Sequence, residues 1–128
     1  MNYLKIIMAV SLLVLMGCKE DEPDTPACTQ STWLGTYTGT IDCDGYTEDV
    51  TVTLTASGDT DVIIVYETSA LEATYDPLTV SGCSLEATSS DVGLTLTLSA
   101  SVSDDSFTMT EVISDGTSES TCVINASK

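Results

Sequence analysis

The stretch Val92-Gly93-Leu94-Thr95-Leu96-Thr97-Leu98-Ser99-Ala100-Ser101-Val102 is the longest clean alternation of large apolar and small or polar residues in the chain. Successive side chains on a β-strand point to opposite faces. Val92, Leu94, Leu96, Leu98, Ala100 and Val102 therefore share one face, and threonine and serine occupy the other. Threonine suits that outer face because it is β-branched, hence stiff in an extended backbone, yet polar. The pattern predicts a strand with one side in a core and one side in water.

The same period extends in both directions from this stretch. Trp33, Gly35, Tyr37, Gly39 and Ile41 fall on one face of a first strand, opposite Thr36, Thr38 and Thr40. Val50, Val52 and Leu54 alternate with Thr51, Thr53 and Thr55, and Val62–Tyr66 is apolar on both faces, which marks the most buried strand. Leu71, Ala73 and Tyr75 lead to Asp76-Pro77, read as a turn. Leu78 and Val80 pass through Gly82 to Cys83, Leu85 and Ala87, where the inward parity changes and a bulge is expected. Phe107, Met109 and Ile113 precede the hairpin signal Asp115-Gly116, and Cys122 and Ile124 close the pattern. Further turns are expected at Ser57-Gly58-Asp59, Ser90-Asp91 and Ser103-Asp104-Asp105. No apolar run of useful length repeats at 3.6 residues. The prediction is all-β: about eight antiparallel strands in an up-and-down meander. They form either a small closed barrel, which removes exposed edges, or a two-sheet sandwich.

Composition narrows the function classes. The 128 residues carry 20 acids against 3 lysines, with no arginine or histidine, for a net charge of −17. Phosphate binding needs clustered basic groups, so nucleic acid is not expected as a partner. Without histidine the chain lacks the commonest general base and the commonest transition-metal ligand. Carboxylates are the remaining acid–base groups, and Glu67, Glu72 and Glu111 are the ones embedded in strand-like runs. No enzyme is expected.

The first residues read as an address. Lys5 precedes the apolar run Ile6–Met16, which is shorter than the ~20 residues of a membrane span. The run ends in Leu15-Met16-Gly17-Cys18, which resembles the bacterial lipobox. Lys19-Glu20-Asp21-Glu22-Pro23-Asp24 then resembles the acidic export signal of Bacteroidota surface lipoproteins. These resemblances imply a signal peptide over 1–17, lipidation of Cys18, and an acidic tether through residue 31. The β domain would occupy 32–128, displayed at the bacterial outer membrane and held there by its lipid. Trp33-Leu34-Gly35-Thr36-Tyr37 is similar to the start of lipocalin-like domains, which implies a tryptophan plugging one barrel end.

Cys28, Cys43, Cys83 and Cys122 remain after lipidation, an even number in an exported chain, so two disulfides are expected. In a closed barrel the last strand runs antiparallel to the first. Cys122, read as late in the last strand, then falls beside Cys28, leaving Cys43 to pair with Cys83. Asp42, Asp44, Glu48 and Asp49 cluster around Gly45 as candidate Ca²⁺ ligands, against the simpler reading of turn-forming aspartates. Trp33, Tyr37, Tyr66, Tyr75 and Phe107 are candidates for contact with a small apolar ligand or a glycan. The alternative is a structural or adhesive surface protein with a solid core.

Overall fold

The computed structural model describes residues 28–128, so the signal peptide, Cys18 and most of the tether lie outside the described residues. A one-turn helix, α1 (Gln30–Trp33), precedes eight strands: β1 (Gly35–Cys43), β2 (Tyr46–Ser57), β3 (Asp61–Glu67), β4 (Glu72–Thr79), β5 (Ser84–Asp91), β6 (Leu94–Ser103), β7 (Ser106–Ser114) and β8 (Glu119–Ser127). Every hydrogen-bonded pair is antiparallel, in the order β4-β3-β2-β1-β8-β7-β6-β5. The first and last strands join, and the wall is left open between β4 and β5. The result is an eight-stranded meander curled into a nearly closed barrel.

Alternation explains the interior. Val50, Val52 and Leu54 of β2, Val62, Ile64 and Tyr66 of β3, and Leu98, Ala100 and Val102 of β6 are all buried, while the residues between them face outward. Both ends of the barrel can be named from the connectivity. The proximal end carries α1 and the β2–β3, β4–β5 and β6–β7 turns; the distal end carries the β1–β2, β3–β4, β5–β6 and β7–β8 turns. Trp33 closes the proximal end. It is fully buried and donates its indole N–H to the Gly82 carbonyl at 2.9 Å, while Gln30 donates to the carbonyls of Gly58 and Asp61. Residues Cys28–Ser31, read from sequence as tether, are thus docked on the barrel, and Trp33 belongs to α1 rather than to the face of β1.

Four local expectations are corrected. The disulfides are Cys28–Cys83 and Cys43–Cys122, the reverse of the expected pairing. Cys122 is early in β8, not late, and the antiparallel register sets it opposite Cys43 at the distal end of β1. Asp76-Pro77 is not a turn: it lies within β4, where the β3 register shifts between Val62 and Ile64. Proline has no N–H to donate, so it fits a strand at the open side of a sheet. The parity change near Gly82 is the β4–β5 turn itself, with Gly82 at φ +61°, and not a bulge. The turn expected at Ser90-Asp91 falls two residues later, at Val92-Gly93.

One glycine is required by close approach. Gly39 of β1 stands opposite Ala126 of β8, and a Cβ there would fall on the Asn125 carbonyl oxygen and the Ala126 Cα, both backbone atoms. Gly39→Ala therefore forces apart the ladder that closes the barrel. A loss of about 3 kcal/mol, the upper end for an overpacked core, is expected in urea unfolding. An unchanged midpoint would contradict the close contact.

Candidate functional site

The barrel is filled at one end and open at the other. Tyr37 and Phe107 are fully buried, with ring centroids 5.5 Å apart, and the Tyr37 hydroxyl donates to the Trp33 carbonyl at 2.9 Å. Three of the five aromatic candidates, Trp33, Tyr37 and Phe107, are accordingly proximal core and touch no opening. Tyr66 and Tyr75 are brought together instead, 6.3 Å apart, on the neighbouring strands β3 and β4.

Openings appear where β4 and β5 fail to pair and where β5, β6 and β7 reach the distal rim. A cleft of about 390 Å³ follows the seam, lined by Tyr75 and Leu78 on one side and Ala87, Leu96 and Leu98 on the other. A groove of about 440 Å³ at the rim is lined by Ser89, Asp91, Val92, Leu94, Leu96, Glu111 and Ile113. Leu96 and Ser89 belong to both, so the two spaces adjoin. Their combined size suits a small organic molecule.

Glu111 is the buried acid of this region, 6% exposed, in a row of β7 that otherwise carries the buried Phe107 and Met109 and ends in the exposed Ile113. The hydroxyls of Tyr66 and Tyr75 both donate to its Oε2, Tyr66 at 3.3 Å. Burial pushes the Glu111 carboxyl above its ordinary value, against the opposing pull of the Tyr66 hydrogen bond. The Tyr66 phenol is pushed up to about 12, first by burial and then by the carboxylate charge beside it. Among the described residues no hydrogen bond reaches Oε1, and Glu111 is one of the residues that line the groove. Sequence parity already places Glu111 on the inward face, since it follows Phe107 and Met109 at even spacing. Glu67 and Glu72 stand opposite each other and exposed, on the outer face of β3 and β4.

The rim also gathers exposed apolar side chains. All five exposed large hydrophobic residues among the described ones, Tyr46, Leu71, Val92, Leu94 and Ile113, lie at the distal end. Val92 stands out. It is 94% exposed and occupies the first position of a two-residue hairpin turn at φ +46°, followed by Gly93 at φ +81°. Left-handed backbone crowds a Cβ, and crowds a branched one most, so asparagine or glycine is the ordinary occupant of such a turn. The β1–β2 turn of the same chain uses Asp44-Gly45 at φ +52° and +91°. Val92 is therefore disfavoured twice, by backbone strain and by contact of its side chain with water. A residue held against both is a pointer to function.

The acidic loop at Asp42–Asp49 does not converge. Asp42 accepts from the Gly45 N–H and the Thr47 hydroxyl, at 3.0 and 2.7 Å. Asp44 accepts from the Ser120 hydroxyl at 2.7 Å and the Thr121 N–H at 3.1 Å, which together hold its carboxyl below the ordinary value. Glu48 accepts from Ser69, and Asp49 sits one residue away, on the opposite face of β2. These aspartates tie turns to strands, and no group of three or more potential metal ligands assembles among the described residues. Asp115 braces the β7–β8 turn from within, accepting from the N–H and hydroxyl groups of Ser118 and Thr117, which hold its carboxyl far below the ordinary range.

Compared with family models, curated protein sequences and solved structures, the chain finds no match.

Proposed function

We propose that this protein is an exported, lipid-anchored binding module that takes a small apolar ligand into the distal half of its barrel. Its place is the bacterial surface. The observation that carries the reading is Val92, strained and exposed at the lip of a groove whose walls are Leu94, Leu96 and Ile113. Aliphatic walls favour an apolar molecule over a glycan, which would call for an exposed aromatic platform. Two disulfides suit an oxidising compartment. The chain enters the barrel at Cys28, on the proximal side, so an anchor preceding Cys28 joins the end opposite the groove.

Val92→Asn tests the proposal in two readouts. Relief of the left-handed strain is expected to raise stability by about 1 kcal/mol. In a domain of this size that is a rise of roughly 4–8 °C in Tm. Affinity for n-octanol, measured by titration calorimetry, is expected to fall about fivefold as the apolar lip is lost. Absence of octanol binding to the wild-type chain, or an affinity untouched by the substitution, would sink the ligand-binding reading.

A further inference from the structure

We infer that the groove selects an amphiphilic amine, its apolar body against Leu94, Leu96 and Ile113 and its ammonium group on the Glu111 carboxylate. This rests on the reading of the groove as the ligand site, and it names the class of ligand. The starting observation is a carboxylate without a counter-charge. Glu111 is buried in a barrel whose one described cation, Lys128, lies at the proximal end, with its Nζ 4.9 Å from the centre of the Tyr37 ring. Buried acids are ordinarily paired with a cation or forced to hold a proton. Here the partners are two phenols, and both act on Oε2. They hold one carboxyl oxygen, and among the described residues no hydrogen bond reaches the other on this groove-lining side chain.

The charged and titratable groups around that oxygen define what it accepts. Tyr66 from β3 and Tyr75 from β4 are neutral donors already engaged, and Asp91 from β5 adds a second acid on the groove wall. An ionised carboxylate offers acceptors only, so the ligand group that meets it must donate. An ammonium carries three donors and a charge, and charge-assisted hydrogen bonds are roughly twice as strong as neutral ones. An anionic amphiphile meets Glu111, Asp91 and a chain of net charge −17, all repulsive. A divalent hard cation needs six or more oxygens, and the groove presents two carboxylates. The apolar walls exclude a small hydrated cation and reward a hydrocarbon body.

The test compares n-octylamine, n-octanol and octanoate by calorimetry at neutral pH and about 0.15 M salt, where the diffuse field of the surface acids is screened beyond ~8 Å. Octylamine is expected to bind at least about tenfold more tightly than octanol, with octanoate weakest. Glu111→Gln keeps an acceptor for both tyrosines and removes the charge, and in that variant octylamine is expected to bind no more tightly than octanol does. Glu119→Gln, which removes an acid of the rim outside the groove, is expected to leave the amine preference intact. A preference that survives Glu111→Gln would overturn the inference, because it would come from the general negative field. Equal binding of all three probes to the wild-type chain would also overturn it and leave the apolar-ligand reading standing, an outcome that does not depend on any variant folding. Binding of none would remove both.

Discussion

Replacing all four bridged cysteines by serine is expected to remove about 7 kcal/mol of stability, enough to leave the domain largely unfolded at 37 °C. Cys28–Cys83 spans 55 residues and Cys43–Cys122 spans 79. Cross-links over loops of that length restrict the unfolded chain by about 4 kcal/mol each in the loop-entropy account. The two effects are not fully additive, because either bridge shortens the loop that the other closes. For a domain in the lower half of the typical range of about 5–15 kcal/mol, one lost bridge is survivable and two are not. Urea unfolding of the two double variants and the quadruple variant, with circular dichroism as the readout, checks this. Each double variant should remain folded with a midpoint well below wild type. A quadruple variant that unfolds at the wild-type midpoint would show that the strand ladders alone determine stability.

Trp33→Ala is expected to cost about 4 kcal/mol, the middle of the range for emptying a fully buried large aromatic site. The indole is the lid of the proximal end and a tie to the β4–β5 turn through the Gly82 carbonyl. Alanine leaves both a cavity under α1 and a carbonyl without its donor. Trp33→Phe separates the two effects: it restores most of the volume and none of the hydrogen bond, so a loss of about 1–2 kcal/mol is expected. Thermal and urea unfolding of the three proteins measures the series. Equal losses for phenylalanine and alanine would mean that the Gly82 contact, and not packing, holds the lid.

How much of this is legible from residue order can be followed at particular positions. Strand count, meander order and inward faces follow from the period of two, because β2, β3, β6 and β7 each alternate a buried face with a wetter one. Leu98, Ala100 and Val102 are buried as their alternation requires. Their continuation to Val92 does not hold, since parity cannot see where the backbone turns. The turn signal of Gly93 is masked because a valine precedes it. Asp76-Pro77 misleads for the complementary reason: a strong turn dipeptide is accommodated on a strand that has no neighbour on one side. The disulfide pairing inverts on which end of the last strand holds Cys122, which has five more β8 residues after it. Once the antiparallel register is known, Cys43 opposite Cys122 needs no other argument. For the site, the inward phase of Glu111 is available from the sequence, but its two phenol partners are not. Tyr66 and Tyr75 lie 45 and 36 positions away, and only the curl of the sheet brings β3 and β4 across from β7.

The break in the wall has a consequence for the chain as a connected object. Its two unpaired strands are consecutive in sequence, while the strands at the two ends of the chain are zipped together. Residues before the Val80–Cys83 turn form one four-stranded half, β1 to β4, and residues after it form the other, β5 to β8. Cys43–Cys122 crosses from one half to the other, as does the β1–β8 ladder, and Cys28–Cys83 ties the start of the first half to the last residue of the turn. A single cut of the backbone between Val80 and Gly82 would therefore release nothing. The peptide link at that turn is redundant, and the barrel is in effect a covalent heterodimer that happens to be synthesised as one polypeptide.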